Sequence, residues 1–464
     1  MKKKIVIIGS GLAGSLLCNE LVKHYDVTLL EKGRKNSFQF ARIKFIKKKL
    51  AEVPTFCFGE GGTTHLWHNG LIPINADDIT SNYFRDVLKN LWPYIDQAAS
   101  ELFFKNGHYQ AEYERVVAEV NSLSDKFSVF PYGIDCLIYP KNFKKLMVDP
   151  GVKSIYDVQD IDFIIDNKKV VEINYSTGQT NNIEADIVIV ACGGMGTPKI
   201  LQKLISSTGN STNTAGFGFI DHPKGFVGKV KFKKNISWAF KKLSSYDKGD
   251  YISRNAVRLK SKCGRYTSCV FFRPALTMGN NLSVYKYKSA LGASGGVDRL
   301  KIMFSPKLFH PDILAEIFAH LFGFNIPSRT YNIFFIGEQK RGSNRVYYKG
   351  DELEVDWNIT EEEISIYCDM LKRLRDMIAD LADEINIKTD ISPDWLWSAA
   401  HHSGTTSMGD SEDCLIDSDL KLKCCDNVFV CDGSVIQEHS YANTGLTIGQ
   451  LALRLADRLR EEVT

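Results

Sequence analysis

The sequence lacks a hydrophobic run as long as the roughly 20 residues that a transmembrane helix needs. Its most apolar segment, 313–327, contains a glutamate and a histidine, so we predict an amphipathic helix on the core rather than a membrane anchor. Lysines precede an apolar run at the N-terminus, as in a secretory signal, but glycines interrupt the run and no small-residue cleavage site follows. The sequence therefore predicts a cytoplasmic protein with no firm membrane signal.

A large excess of charge of one sign is also missing. The chain has 58 Lys and Arg against 55 Asp and Glu, which gives a formal net charge of +3. So small an excess argues against a nucleic-acid partner. Lysines do cluster at 43–50 and 229–243, where a solvated face is the favoured interpretation and an anionic membrane surface the alternative.

Paired cysteine motifs are absent as well. The eleven cysteines are irregularly spaced, and without a secretory signal we expect them to be reduced thiols. Cys414, Cys424, Cys425 and Cys431 lie close together but form no C-x-x-C pair. The sequence predicts no metal site.

The chain begins with the pattern of a strand, a glycine turn and a helix. The apolar run "KIVIIG" is typical of a strand buried in a parallel sheet, and the next segment has helical spacing. Between them Gly9 permits a tight turn, Gly11 lets a pyrophosphate approach the backbone, and Gly14 lets helix and strand pack closely. The helix N-terminus offers amides and a positive dipole end to phosphates. This arrangement predicts a dinucleotide site.

An acidic residue completes the dinucleotide pattern. Glu31 ends the second strand, where a ribose hydroxyl needs an acceptor. The residues predicted to contact the cofactor here are Gly9, Gly11, Leu12, Ala13, Gly14, Glu31 and Lys32.

A later segment favours FAD over NAD. Residues 184–204 form another apolar strand that ends in small residues, as expected of a strand that returns to the first sheet and passes a flavin. Short strands with a turn at "STGQ" precede it. Because only one G-x-G-x-x-G motif occurs, a separate nicotinamide domain is not evident.

The middle of the chain mixes two periodicities, which predicts a second α+β domain with an antiparallel sheet over the flavin. Strands are predicted at 266–274, 281–289, 331–339 and 344–350, and a helix at 361–385. The end of the chain returns to a buried strand, an Asp-Gly pair and a long terminal helix. We therefore predict a discontinuous FAD-binding domain at 1–75, 150–225 and 395–464, and a substrate-binding or cap domain at 76–149 and 226–394.

Taken together, five blocks resemble the glucose–methanol–choline (GMC) oxidoreductases in their order along the chain. They are "GSGLAGS" with Glu31, "GEGGTTHLW", "ACGGMGTPKIL" followed by "GFGFIDHP", "HHSGTTSMG", and "VFVCDGSVIQEHSYANTGLTIGQLALRLAD". The resemblance implies an α/β fold: an FAD-binding Rossmann-like domain of the two-dinucleotide-binding-domain type, with a discontinuous α+β substrate domain containing an antiparallel sheet.

The resemblance also implies a catalytic pair. In an H-x-x-G-T turn the matching histidine is His401, and its partner at the start of the last helix is Asn443, with Thr444 where the family often has proline. An imidazole near neutral pKa suits removal of a hydroxyl proton during hydride transfer to flavin N5. An ordinary turn histidine is the minor alternative for His401 and the favoured interpretation of His402.

The remaining cofactor contacts rest on the same resemblance. They are Gly61, Gly62, Thr63, Trp67, Val158, Cys192, Gly193, Asp432, Gly433, Asn443, Thr444 and Thr447. Some family members attach FAD covalently to a histidine, but Leu66 occupies that position here and His65 is one residue away, so we expect non-covalent FAD. Asp221, His222 and Pro223 are interpreted as structural.

The resulting prediction is an FAD-dependent oxidoreductase that oxidises an alcohol, possibly a sugar or sugar derivative, and passes electrons to oxygen or a quinone-like acceptor. Two alternatives remain at this point. One is a flavoprotein without net alcohol oxidation, such as a sugar mutase or a reductase. The other is a non-catalytic FAD-binding partner protein.

Overall fold

The computed structural model describes residues 2–47, 55–67, 69–125, 128–142, 146–209, 214–279, 306–314 and 328–462. Its strands are β1 Lys4–Ile8, β2 Asp26–Leu30, β3 Gln39–Phe40, β4 Ile43–Phe45, β5 Cys57–Phe58, β6 Ile134–Pro140, β7 Lys153–Ile155, β8 Asp160–Asp166, β9 Lys169–Ser176, β10 Thr180–Glu184, β11 Ile187–Val190, β12 Pro223–Phe232, β13 Ser245–Asp247, β14 Tyr251–Lys260, β15 Thr267–Ala275, β16 Thr330–Ile336, β17 Arg345–Lys349, β18 Glu352–Asp356, β19 Ala382–Ile387, β20 Trp397–Ser398 and β21 Val428–Val430. The helices are α1 Leu12–Leu21, α2 Asn82–Leu91, α3 Ile95–Glu101, α4 Tyr109–Asp125, α5 Gly193–Ser207, α6 Ser237–Ser244, α7 Glu361–Ile378 and α8 Gly445–Glu461.

A parallel five-stranded sheet carries the start, the middle and the end of the chain. Its order is β21-β11-β1-β2-β7, and β1 lies between β11 and β2, with Ile5 opposite Ile187 and Val27. Ile5, Val6 and Ile7 are fully buried, as expected of a strand inside a parallel sheet that is covered on both faces. The predicted return of a late strand to the first sheet is therefore confirmed.

An antiparallel sheet of eight strands forms the second layer. Its order is β13-β14-β15-β16-β12-β19, with β20 paired to β12 and β6 paired to β14. The strands predicted at 266–274 and 331–339 are confirmed as β15 and β16. The strand predicted at 281–289 lies outside the described residues, as does most of the helix predicted at 313–327. Three smaller sheets have the strand orders β10-β9-β8, β17-β18-β4 and β3-β5.

The helix predicted over 361–385 is wrong at its C-terminal end. It begins with a capping box, in which Thr360 and Glu363 bond reciprocally, and it ends at Ile378. After one 3-10 turn, Ala382–Ile387 forms strand β19 along β12, with Ile387 opposite Gly228. Pairing with a neighbouring strand overrides the weak helical preference of that segment.

The architecture agrees with the predicted α/β class, whereas the proposed domain boundaries stay a prediction. Hydrogen bonds cross those boundaries, since β18 pairs with β4. All eleven cysteines are free thiols. No helix within the described part of the chain has both the length and the apolar character needed to cross a membrane.

Candidate active site

A cavity of about 600 Å³ lies between the two main sheets. One wall is built where the parallel strands end, at Ile8, Leu30 and Ala191, and the opposite wall includes Phe226 and Phe334 of the antiparallel sheet. The crevice beyond the carboxyl ends of parallel strands is where doubly wound folds bind cofactors. A volume of this size is typical of a ligand site.

The glycine turn after β1 is shaped by close backbone contacts. Gly9 has φ 101°, and a Cβ there would lie 2.6 Å from the Ala191 carbonyl oxygen. A Cβ on Gly14 would lie 1.9 Å from the Gly9 oxygen. Gly11 instead faces the cavity, and helix α1 begins after it without a side-chain cap. The open amides of this first turn fit the diphosphate of a dinucleotide.

Glu31 lines the cavity but is already engaged by the chain. One carboxylate oxygen accepts hydrogen bonds from Ser10 N at 2.8 Å and Ser10 Oγ at 2.7 Å. The other accepts from Gly33 N at 2.8 Å and Gly59 N at 2.9 Å. Four bonds use the capacity of a carboxylate. Glu31 therefore fixes the loops around the glycine turn, and its contact with a ribose stays a prediction.

Asp432 joins the last parallel strand to helix α5. Its buried carboxylate accepts hydrogen bonds from Gly193 N at 2.8 Å, Thr197 Oγ1 at 2.5 Å and Ser434 N at 2.7 Å. These bonds place Gly193 and Gly433 at the cavity wall. The Asp432–Gly433 pair thus lines the cavity, and its contact with a cofactor stays a prediction.

The turn that carries the histidines is held by Asp221. Its carboxylate accepts hydrogen bonds from His401 N at 3.0 Å, from His222 N at 2.7 Å and from Ser398 Oγ. Ala400 adopts φ 64°, an uncommon conformation for a residue with a side chain. The backbone is therefore held in a bent conformation at the point where the His401 side chain lines the cavity.

A hydrogen-bond chain sets the tautomer of His401. His222 Nε2 lies 2.8 Å from the Ser440 carbonyl oxygen, which can only accept, so this nitrogen carries the proton. Burial lowers the pKa of His222 well below its usual range, and the neutral ring must accept at Nδ1. His401 Nδ1 lies 2.7 Å from that atom and therefore donates to it. Burial lowers the pKa of His401 to about 3, below the near-neutral pKa expected from the sequence, so the ring is neutral and its Nε2 is left unprotonated.

The other predicted residues of the turn region occupy different positions. His402 is buried, and its Nε2 lies 3.9 Å from Asp221 Oδ2, too far for a hydrogen bond. Asn443 donates from Nδ2 to the Gly70 carbonyl oxygen at 3.2 Å. His401, His402 and Asn443 all line the cavity.

The structure brings most of the predicted cofactor contacts to one cavity. Those that line it are Gly9, Gly11, Leu12, Ala13, Glu31, Lys32, Gly62, Thr63, Trp67, Val158, Cys192, Gly193, Asp432, Gly433, Asn443 and Thr444. Three others lie behind its wall: Gly14 packs on Gly9, Gly61 donates to the Ser10 carbonyl, and Thr447 is buried. The Val158 amide donates to the Glu31 carbonyl at 3.0 Å, and its contact with adenine stays a prediction.

Sequence reasoning missed the residues that surround His401. His222, interpreted as structural, contacts the candidate base directly, and Lys224 lies beside it on β12. His439 is fully buried, with its ring centroid 3.9 Å from that of His222. The nearest sequence signal for these residues was the "DHP" run, Asp221 to Pro223, which was interpreted as structural. Within the described residues, no group of His, Cys, Asp or Glu side chains could hold a metal ion.

We expect the protein to lose stability as the pH falls below the ordinary histidine pKa. Burial lowers the pKa of His222, His401, His402 and His439, to about 3 in His401 and about 4 in His439. Asp221 opposes this shift at His401, His402 and His439, whereas Lys224 adds to it at His222 and His401. Each ring binds a proton more readily when unfolded. Stability is therefore complete above about pH 6.5 and falls below it, by up to about 1.4 kcal/mol per pH unit for each ring.

Urea unfolding between about pH 7 and about pH 5 measures this loss. His402→Gln removes one titrating ring and should make the dependence shallower than in the wild type. Equal slopes for the two proteins would contradict the assignment of His402 as a buried neutral ring.

The C-terminal part of the chain matches a known family. Residues 341–452 match the family model described as GMC oxidoreductase. A relative, an uncharacterized protein of Methanocaldococcus jannaschii, is 26% identical over 205 residues, or 43% of this chain and 51% of that protein. The match thus spans about half the length of that relative.

Solved structures share the fold over nearly the whole chain. Pyridoxine 4-oxidase from Mesorbium loti has a TM-score of 0.63 at 14% identity and covers 99% of both chains. Formate oxidase from Aspergillus oryzae has a TM-score of 0.60 at 15% identity, covering 100% of this chain and 99% of the other. An FAD-dependent oxidoreductase from Chaetomium thermophilum has a TM-score of 0.60 at 14% identity and covers 99% of both.

These findings bear on three predictions. The predicted resemblance to GMC oxidoreductases is confirmed by the match at residues 341–452, and the predicted fold by the structures. The match at residues 341–452 supports FAD as the cofactor and an FAD-dependent oxidoreductase as the enzyme, whereas the structures, at 14–15% identity, bear on the fold alone. The manner of attachment stays a prediction.

Proposed function

We propose that this FAD-dependent oxidoreductase with a GMC C-terminal domain oxidises a CH–OH group, with His401 as the base. The observation that carries the proposal is the hydrogen-bond chain from the Ser440 carbonyl through His222 to His401. It leaves one unprotonated nitrogen on a ring that lines the cavity. A general base needs such an atom within reach of the hydroxyl proton.

Two residues of the chain act on the alcohol in this mechanism. His401 Nε2 takes the hydroxyl proton, and the Asn443 side-chain amide orients the alcohol oxygen. When bound, FAD supplies the acceptor for the hydride that leaves the carbinol carbon, so that the C–O single bond becomes a carbonyl. The His401 imidazolium keeps its Nδ1–H bond to His222, and Asp221, bonded to the His401 backbone, lies near enough to favour the positive charge.

We expect this cavity to hold FAD without a covalent bond. Leu66 lines the cavity, whereas His65 contacts Phe38, with ring centroids 4.5 Å apart, and its Nε2 lies 2.9 Å from the Glu60 carbonyl oxygen. We expect acid or heat denaturation to release all the flavin into the supernatant. Flavin that stays with the precipitated polypeptide would overturn this expectation, and the absorbance of both fractions decides it.

The electron acceptor is proposed to be oxygen or a quinone-like compound. The sequence has a single G-x-G-x-x-G turn, which is assigned to FAD, and lacks the second such motif that a separate nicotinamide domain would carry. This supports the proposal. A flavoprotein without net alcohol oxidation is the rival function, and it would not need the His401–Asn443 pair.

Anaerobic stopped-flow mixing of the holoenzyme with a panel of primary and secondary alcohols tests the proposed function. Bleaching of the flavin absorbance by an alcohol, with formation of the matching carbonyl compound, is the expected result. Bleaching by NADPH, with none by any alcohol, would favour the reductase instead.

A further inference from the structure

A basic segment without acidic residues follows strand β2. Residues 32–47, called the basic segment below, contain six lysines and arginines and no aspartate or glutamate. All six basic side chains are exposed; they are Lys32, Arg34, Lys35, Arg42, Lys44 and Lys47. The chain as a whole is nearly neutral, with 58 basic residues against 55 acidic ones. The basic segment therefore concentrates charge of one sign on one part of the surface.

The same segment exposes large apolar side chains. Phe38, Phe40 and Ile46 are 44%, 36% and 46% exposed, and the ring centroids of Phe38 and Phe40 lie 5.5 Å apart. From Phe40 to Ile46 exposed and half-buried residues alternate, as in a strand with one face on the protein. The half-buried residues pack on the hydrophobic core. The outward face thus carries Arg42 and Lys44 between two apolar side chains.

Most cations of the basic segment have no acidic neighbour. Arg34 pairs with Asp157 at 3.5 Å, and Lys44 pairs with Glu354 at 2.7 Å. Glu354 is shared with a second cation, Lys349. The other four basic side chains of the segment form no ion pair with any residue that the structure describes. An excess of positive charge remains, and contact with an anionic surface stabilises it.

The other lysine-rich stretch, 229–243, is built differently. Lys229 is buried and pairs with Asp312 at 2.5 Å. Phe232 and Phe240, which lie between its lysines, are fully buried. The combination of exposed cations with exposed aromatic side chains is therefore a property of the basic segment and not of lysine clusters in this chain.

The basic segment lies beside a wall of the candidate site. Strand β3 pairs with β5, with Phe40 opposite Cys57. Cys57 and its neighbour Phe58 line the cavity. The Phe38 ring stacks on that of His65, with the centroids 4.5 Å apart. A partner that the basic segment binds is therefore held close to the cavity wall.

We propose that the basic segment docks the protein on an anionic lipid bilayer, with Phe38, Phe40 and Ile46 inserted among the headgroups and the cations at the lipid phosphates. Apolar side chains interleaved with lysine and arginine are the composition that binds a membrane interface. Long basic side chains reach past apolar neighbours to the phosphates. A bilayer with acidic headgroups supplies both complements at once, negative charge over an apolar layer. For residues 43–47 the membrane interpretation is thus favoured over the solvated face.

Flotation of the holoenzyme with lipid vesicles tests the docking. One set of vesicles contains phosphatidylcholine alone, and the other contains phosphatidylcholine mixed with phosphatidylglycerol. We expect binding to the anionic vesicles to be at least ~10²-fold tighter, since each lysine or arginine near such a surface contributes roughly fivefold. Added salt should weaken this binding, because it screens exposed charges. Flavin absorbance reports the protein in each fraction.

Two double variants separate the charges from the apolar side chains. Lys35→Gln combined with Arg42→Gln should weaken binding to the anionic vesicles by at least ~10-fold, from two contributions of roughly fivefold. Phe40→Ser combined with Ile46→Ser should also weaken it by at least ~10-fold, because the transfer of apolar area out of water is lost.

Lys233→Gln combined with Lys234→Gln is the matched control. It removes the same charge from exposed positions in the other lysine-rich stretch, and it should bind the anionic vesicles as the wild type does. None of the substituted residues lines the cavity, so every variant should keep its flavin.

Three results would overturn the proposal. The first is equal binding of the wild type and all variants to the anionic vesicles, and the second is no binding of the wild type to them. The third is a dimer in sedimentation that becomes a monomer in the Phe40→Ser and Ile46→Ser variant, since the occupant of the surface would then be a second copy of the chain. Because docking involves no step of the reaction, each of these results leaves the test of alcohol oxidation unchanged.

Discussion

His401→Ala is expected to slow flavin reduction by an alcohol by about 10²–10⁴-fold, the usual contribution of a general base. The reason is that the Nε2 atom left unprotonated by the His222 contact disappears with the ring. FAD should remain bound, because the glycine turn and the Asp432 contacts lie on other elements. Anaerobic stopped-flow measurement of flavin absorbance gives the rate.

His402→Ala is the control for that result. His402 precedes the same turn and lines the same cavity, but its side chain makes no hydrogen bond among the described residues, so a much smaller change is expected. His222→Leu removes the acceptor for His401 Nδ1, so its rate of flavin reduction should lie between the rates of His401→Ala and His402→Ala. Asn443→Ala should cost less than His401→Ala, since the amide positions the oxygen without carrying a proton. A near-normal His401→Ala and an inactive His402→Ala would show that the assignment of the base is wrong.

Gly11→Ala is expected to yield a folded protein that has lost FAD. A Cβ at this position would have the Ala191 carbonyl oxygen as its nearest neighbour, at 4.0 Å, so the chain accommodates it. The methyl group would instead project where the backbone must approach the diphosphate. We expect FAD affinity to fall by ~10²-fold or more, as when good hydrogen bonds to a charged group are broken. Flavin content after gel filtration and circular dichroism of the same sample measure both parts.

Two further glycine variants serve as comparisons for this prediction. Gly14→Ala would place a Cβ 1.9 Å from the Gly9 oxygen, so it should disturb the packing of helix on strand and lower stability as well as flavin content. Gly342→Ala has no neighbour within 4 Å and should behave as the wild type. Full flavin content in Gly11→Ala would show that the cofactor does not approach this turn.

Local patterns were sufficient to predict the strand, the glycine turn and the helix at the start of the chain. Strand β1, the turn at Gly9 and helix α1 lie within twenty residues, and each is specified by its own periodicity and glycine spacing. The same holds for the Asp432-Gly433 pair before the last helix. Such elements are predictable because the residues that determine them are neighbours in the chain.

Contacts between distant segments were not predictable. His222 meets His401 only because β20 pairs with β12, and no spacing rule links residues so far apart. Glu31 lines the cavity, as expected of a cofactor contact, but its four hydrogen bonds involve loops at Gly33 and Gly59 that have no motif of their own. The end of α7 was misplaced because β19 gains an edge of the antiparallel sheet, which the segment itself does not reveal.

The order of the parallel sheet has a consequence for how the protein matures during synthesis. Strand β1 is made first, yet its neighbour β11 begins at Ile187, and β21, beyond it, begins at Val428. Nascent chains generally fold domain by domain as they emerge, and pairing of distant strands is slow. Here the sheet edge that carries Asp432 cannot close until β21 has been synthesised and has paired with β11. We therefore expect a cofactor that needs both Gly9 and Asp432 to bind only after that pairing, and β11 to present an open sheet edge until then.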